Sequence, residues 1–379
     1  MMLGGVLASG SAQLSAAGIN FDHRSWAEIV ERAKTENRLI FIDFYTQWCG
    51  PCYNMAKTVF TDADVAAFYN NSFVNAKIDA ENGEGVDLAR KYEIHSYPSY
   101  IFVDPATQEC VHRSSSRQSA EQFIATGEWA LNPAKRSFKL LGDYEKGDRS
   151  RSLLTDYIAY TNSVYRRDDV KRAFDELTAG GASLKDKDVW AIFDKCITGP
   201  DNKYLREVSD NYQAYCDIYG KDKVDDKLAR ETSYIDLASL DAMCDFDGKD
   251  FNRRMIVINN DLRAKNYDKA ADGIDAMIAD ENVDRQKLID RLKFIARISP
   301  YSIGDMPEPW LMKCLDYLRF IAYNNSERDD ASVHQEYASA LEQVMKHTGR
   351  LPESLKSEPE YGKKAYSMRP DDLKAKPKR

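Results

Sequence analysis

Cys49 and Cys52 are separated by two residues in the run Trp48-Cys49-Gly50-Pro51-Cys52. Two thiols at that spacing interconvert between dithiol and disulfide with little backbone movement when they sit where a strand gives way to a helix. The apolar run Leu39-Ile40-Phe41-Ile42-Asp43-Phe44-Tyr45 just before them reads as a buried strand, so spacing and context together point to a redox site. Cys49 then falls at a helix N-terminus, where unpaired backbone N–H groups and the helix dipole favour negative charge. The thiolate is the nucleophile, so this position lowers the Cys49 pKa and activates it. Cys52 lies one turn further in, on the same face and more buried. It keeps a higher pKa and attacks second, resolving the mixed disulfide. Pro51 suits the first helical turn because it has no N–H to leave unpaired, and Gly50 lets another backbone come close. A structural disulfide and half of a zinc site are the competing readings. Zinc needs two further ligands at similar spacing, and the chain has no second Cys-x-x-Cys and no His-x-x-x-His. Neither a metal nor a cofactor is expected.

The elements around this pair follow from local signals. Gly18-Ile19-Asn20-Phe21 predicts a short first strand. Ser25-Trp26-Ala27-Glu28 has capping-box spacing and opens a helix to about Glu36. The strand at 39–45 leads into a helix from about Gly50 to Phe60. Asp62 caps a further helix, and Phe73 to Asp79 reads as a strand. Glu84 to Tyr92 is a helix, Ser99 to Val103 a strand, and Asp104-Pro105 begins a turn. Glu109 to Arg113 returns as its partner strand, and Ser119 starts a last helix ending near Leu131. The order β-α-β-α-β-α-β-β-α predicts a central mixed sheet with helices on both faces.

From about Phe21 to Leu131 the chain resembles thioredoxin. Phe41 to Cys52 is similar to that family's active-site strand and turn, and Ile94-His95-Ser96-Tyr97-Pro98-Ser99-Tyr100 is similar to its cis-proline loop. The resemblance implies an α/β thioredoxin fold and a role for each matching residue. Asp43 matches the buried acid, whose pKa rises on desolvation so that it can exchange a proton with Cys52. Pro98 matches the cis-proline that faces the disulfide. The backbone of Tyr97 is implied to pair with an extended substrate segment, and Trp48 to cover one flank of the thiol. Two departures leave the redox potential open. Tyr53 stands after Cys52 where the family carries a basic residue, and Asn75 stands four before Asp79, at a position often held by a lysine near the buried acid. His95 reads as a solvated loop residue.

The 379 residues are too many for one such domain, and their composition, 43% hydrophobic and 30% charged, is that of a soluble protein. A net charge of −8 argues against a general nucleic-acid binder. No apolar run reaches the roughly 18 residues that span a bilayer. Residues 1–17 are apolar and then small, like the back half of a secretory signal peptide, and lack the basic region that precedes one. Export of a bacterial protein to the periplasm or cell envelope is the expectation, with the cytoplasm the alternative. No cysteine precedes Cys49, so a lipoprotein-type anchor is not expected. Beyond the central pair stand Cys110, Cys196, Cys216, Cys244 and Cys314, read as small apolar residues of helices, with Cys196 and Cys216 the best candidates for a bridge.

Asn132-Pro133 breaks the pattern. The expected division is a signal-like segment at 1–17, a thioredoxin-like domain at 18–132, an all-helical domain at 133–350 and a polar, disordered, basic tail at 351–379. Helical periodicity dominates the third part, as in Leu153-Leu154-Tyr157-Ile158 and Leu288-Ile289-Leu292-Phe294-Ile295, with turns at Gly180-Gly181, Gly220 and Asp247-Gly248. Asn266 to Ala270 resembles the opening of a tetratricopeptide-type helix, but no strict period of about 34 residues accompanies it. Asp245 to Asp250 lacks the glycine and glutamate spacing of a calcium loop and reads as a turn. Together these readings predict a thiol–disulfide oxidoreductase that reduces disulfide-containing proteins and draws electrons from a membrane-borne thiol donor. An oxidase or isomerase is the alternative within that class. Outside it stands a protein-binding or chaperone-like module in which the helices are the functional part.

Overall fold

The computed structural model describes residues 18–199, 202–325 and 331–350. The signal-like segment at 1–17 and the basic tail at 351–379 lie outside the described residues. The chain divides into two compact units, the first ending at Thr198 and the second starting at Gly199.

The first unit begins β1 (Phe21–Asp22), α1 (Trp26–Glu36), β2 (Leu39–Tyr45), α2 (Gly50–Lys57), α3 (Ala63–Ser72), β3 (Phe73–Asp79) and α4 (Gly85–Lys91). It continues through β4 (Ser99–Val103), β5 (Cys110–Ser115) and α5 (Ala120–Leu131) to α6 (Ser137–Glu145), α7 (Arg151–Ser163), α8 (Arg167–Ala179) and α9 (Lys187–Cys196). The sheet order is β1-β3-β2-β4-β5. β1, β3 and β2 run parallel, while β4 and β5 run antiparallel to their neighbours. This is the mixed sheet between helices that the thioredoxin fold requires.

Alternation along β2 builds both cores. Ile40, Ile42 and Phe44 pack with Ile29, Val30 and Ala33 of α1 and Leu88 of α4. Phe41 faces the other way, into Met55 of α2, Val65 and Tyr69 of α3, and Phe123 of α5. Tyr69 and Phe123 stack there at 4.4 Å. The capping signals hold at α5, where the Gln122 N–H donates to Ser119 Oγ and the Ser119 N–H donates to Gln122 Oε1, both at 3.2 Å.

Two boundaries differ from expectation. The Ile19 N–H donates to the Phe60 carbonyl at 2.8 Å, which occupies a group the first strand needed. After α2 the helical bonding pattern lapses, with the Phe60 N–H donating to the Met55 carbonyl, five residues back, at 3.0 Å. α2 therefore stops at Lys57 rather than Phe60, and β1 keeps only two residues.

The helices directly after Asn132 belong to the first unit. The Ser137 N–H donates to His112 Nδ1 and the Arg113 N–H donates to Ser137 Oγ, both at 3.0 Å. His112 is buried between Phe102 and Tyr160. Burial, together with the nearby Arg136 charge, pushes its imidazole down to about 3, so it stays neutral and accepts the bond.

The second unit is helical throughout its described residues: α10 (Lys203–Asp210), α11 (Tyr212–Tyr219), α12 (Lys221–Glu231), α13 (Leu237–Asp241), α14 (Lys249–Arg263), α15 (Tyr267–Ala279), α16 (Arg285–Ile295), α17 (Glu308–Asn324) and α18 (Ala331–Thr348). Its main core gathers Ile274, Leu288, Ile289, Leu292, Leu311, Leu315 and Leu341. No helix among the described residues is long and apolar enough to cross a membrane.

The His112 clip yields a measurable expectation. His112→Ala removes a buried ring and orphans the Ser137 amide, so it destabilises the first unit by roughly 3 kcal/mol. Denaturant unfolding followed by far-UV circular dichroism measures the loss; a change under about 0.5 kcal/mol, the size of an ordinary surface substitution, contradicts the assignment.

Candidate active site

The end of β2 delivers the chain into the turn that holds the cysteines. The Cys49 N–H donates back to the Thr46 carbonyl at 3.2 Å, and Cys49 caps α2 in extended geometry. Cys49 and Cys52 are joined in a disulfide, their Cα atoms 5.3 Å apart. The Cys52 N–H points at Cys49 Sγ, 3.1 Å away. That is the interaction expected at a helix start, with an orphan amide donating to the sulfur that would carry charge. Pro51 occupies the first turn of the helix. Gly50 borders open space, since a Cβ there would meet nothing within 4 Å. Cys52 was expected to be the more buried sulfur-bearing residue, but the two are alike at 5% and 4% exposure. With the ring closed, both side chains turn inward.

Tyr97–Pro98 is a cis peptide bond, as the resemblance implied. The loop is tied down by Ser99 Oγ, which donates to the Ser96 carbonyl at 2.7 Å, and by the Ser116 N–H, which donates to the Pro98 carbonyl at 3.0 Å. Trp48 joins the two motifs: its ring meets Tyr97 edge-on at 5.9 Å. The indole is 70% exposed, so it stands beside the disulfide as an open wall rather than as core. Its orientation is set by a residue the sequence did not single out. Trp48 Nε1 donates to Glu81 Oε2 at 3.0 Å, and the Glu81 N–H is held by Asp79 Oδ1, also at 3.0 Å. The only signal for Glu81 was its place in an acidic turn after a predicted strand. His95 is exposed, as expected.

Asp43 lies on the opposite face of β2 from Ile42 and Phe44, in the layer that α2 covers. It is 1% exposed, and neither carboxyl oxygen has a hydrogen-bond partner. Desolvation pushes its pKa from 3.8 up to about 7, against the opposing pull of Lys77. Lys77 is its partner across the parallel β2–β3 pairing, with Nζ 3.7 Å from Asp43 Oδ2, an ion-pair distance too long for a hydrogen bond. The reading that left Asn75 in the lysine's place is thereby corrected. Asn75 instead donates to Asn70 Oδ1 at 3.2 Å, and Lys77 supplies the charge. Lys77 reaches Asp43 past the rings of Tyr45, Phe21 and Phe60, its ammonium 4.9 Å from the nearest ring centre. Tyr53, exposed after Cys52, carries the Lys57 ammonium over its ring at 4.4 Å.

Beyond this pair, the five remaining cysteines form no bridge, so Cys196 and Cys216 are not joined to each other. Cys314 alone among them is fully buried, and burial pushes its thiol up to about 12.

A family model described as thioredoxin-like matches residues 22–105. The chain is 32% identical over 139 residues to the thiol:disulfide interchange protein DsbD of Ralstonia nicotianae, a match covering 35% of this chain and 23% of that protein. Over 68 residues it is 37% identical to Thioredoxin-1 of Drosophila yakuba, covering 18% of this chain and 59% of the relative. The crystal structure of the oxidised C-terminal domain of DsbD from Neisseria meningitidis aligns with 27% of this chain and 89% of its own length, at 21% identity and a TM-score of 0.24. The chain thus spans under two thirds of these curated relatives, and the family match stops well short of its helical part. Residues 22–105, with Cys49 and Cys52 bridged at the start of α2, form a domain of the thioredoxin-like family.

Proposed function

We propose that this chain is a thiol–disulfide oxidoreductase that reduces disulfides in other proteins through the Cys49–Cys52 couple. The observation that carries the reading is the bridge at the start of α2 with the Cys52 amide aimed at Cys49 Sγ. In the reduced protein, Cys49 thiolate attacks one sulfur of a substrate disulfide and expels the other as a thiolate, which takes up a proton. Cys52 then loses its proton to Asp43 and attacks Cys49 Sγ. The second substrate thiol leaves, and two electrons have passed from the dithiol to the substrate. A carboxyl held near 7 gains and loses a proton readily at neutral pH, which suits Asp43 to this step. Lys77 keeps the carboxylate tolerable once formed.

The same reading gives the surrounding residues their parts. Gly50 and Pro51 form an open, exposed lip beside Cys49. Trp48 offers an aromatic wall, and the Tyr97 backbone before cis-Pro98 offers an edge for an extended substrate segment. The 32% identity to a protein named for thiol:disulfide interchange supports this chemistry; in this reading a membrane-borne thiol donor reopens the bridge. The signal-like composition of residues 1–17 supports a site of action in the bacterial cell envelope.

Three outcomes are expected. In an insulin-reduction assay driven by dithiothreitol, Cys49→Ser lowers the rate at least ~100-fold, and Cys52→Ser accumulates mixed disulfides with substrate. Undiminished turnover by Cys49→Ser ends the proposal. Asp43 gives a pH signature in the oxidised protein. It holds its proton up to about 7 when folded, against 3.8 when unfolded. Between those values the native state binds more protons, so this contribution to stability is complete below about pH 4 and declines as pH rises through 7, by roughly 4 kcal/mol in all. Urea unfolding from pH 4 to 8 should show that slope in the wild type and its loss in Asp43→Asn; parallel curves would contradict it. Cell fractionation checks the compartment, which a purely cytosolic protein would refute.

A further inference from the structure

A row of polar side chains crosses the sheet toward the layer that Phe41, Phe102 and Phe123 fill. Lys77 on β3 is the register partner of Asp43 on β2, Asp43 of Tyr100 on β4, and Tyr100 of Ser114 on β5. Asp43 and Tyr100 belong to an antiparallel pair, where directly opposed side chains leave the same face with Cβ atoms about 5 Å apart. The ends of the row have partners. The Lys77 ammonium lies 3.7 Å from Asp43 Oδ2, and Ser114 Oγ accepts from Gln118 Nε2 at 2.6 Å. The middle differs. Tyr100 is fully buried and its hydroxyl has no hydrogen-bond partner, and the carboxyl opposite it has none either. One ring meets both neighbours of that carboxyl: Phe60 is 6.4 Å from the Tyr100 ring and 5.7 Å from the Lys77 ammonium. The phenol and the ammonium thus flank Asp43 from the two strands beside β2. A buried O–H without an acceptor is costly, and a phenylalanine would fill the same space without that cost.

We propose that Tyr100 is a positioning residue for the proton step: its O–H turns to donate to the Asp43 carboxylate whenever that carboxylate forms, and stands unpaired while Asp43 holds its proton. This role rests on Asp43 being the group that receives the Cys52 proton. In the reduced protein Asp43 must be ionised before it can accept. Lys77 then meets the charge from β3, beyond hydrogen-bond length, and Tyr100 supplies a hydrogen-bond donor from β4. When the proton passes from Cys52 Sγ to the carboxylate, the phenol keeps its own proton and the hydrogen bond is released. Burial and the nearby Asp43 charge raise the Tyr100 phenol far above its ordinary range, so it donates a hydrogen bond without ionising. The other titratable groups around Asp43 are Tyr45 on β2 itself, Tyr69 on α3, both pushed up by burial, and Cys52 on α2, which does not titrate while bridged.

Aspartate labelled with carbon-13 at its side-chain carboxyl reports the Asp43 titration by NMR in the full-length bridged chain, with Asp43→Asn identifying the signal. Tyr100→Phe removes only the hydroxyl. It should raise the Asp43 midpoint by about one pH unit, the size of a lost hydrogen bond to a charged group. In single turnovers of the reduced chain with a fluorophore-bearing peptide disulfide, the same variant should release the second thiol about fivefold more slowly at pH 7 and recover by pH 9. A residue that served packing alone would move neither reading. An unmoved or lowered midpoint overturns the proposal, as does a rate deficit that persists at pH 9. The titration is read on the bridged chain, so its outcome is independent of whether Cys49 and Cys52 reduce proteins.

Discussion

The site is organised around a hydrogen bond from a backbone amide to a sulfur at the first turn of α2. The amides at a helix start have no partner within the helix, so whatever caps it must accept from them. Cys49 is that cap. A sulfur atom placed there gains more as an anion than as a thiol, and this bias needs no charged side chain beside it. Its neighbours hold that turn still: β2 delivers it, Met55 roots α2 in the aromatic core, and the Trp48–Tyr97 contact ties it to the cis-proline loop.

On β2, the buried carboxyl of Asp43 balances two opposing effects. Asp43 is stripped of water and hydrogen bonds, which favours its neutral form, while Lys77 at 3.7 Å favours the charged one. The observed separation leaves Asp43 able to change state near neutrality.

Much of this was legible in the sequence, because it is written locally. The cysteine spacing, the proline positions and the alternation in β2 each lie within a dozen residues, and they located the sheet, the active-site turn and the cis peptide bond. What escaped depends on pairing between distant segments. Lys77 finds Asp43 only through the register of β3 on β2, and counting back from Asp79 chose Asn75 instead. Glu81 meets Trp48 only when the turn after β3 folds beside the start of α2. The shortness of β1 escaped too, because the Ile19 N–H goes to the Phe60 carbonyl, some forty positions later in the chain. Asn132-Pro133 read as a break, yet a buried histidine and a helix-starting serine link the segments on either side of it.

The serine whose main-chain N–H donates to His112 has one more effect. On β5, the main-chain N–H of Arg113 points away from β4 and is taken by Ser137 Oγ. An outer strand with vacant amides invites a neighbouring molecule to zip onto it. Here one such amide is already occupied from within the same chain, with α6 lying alongside. The opposite border of the sheet is a strand of two residues, too short to act as a template. Each border of the sheet thus carries a feature that works against templated strand addition.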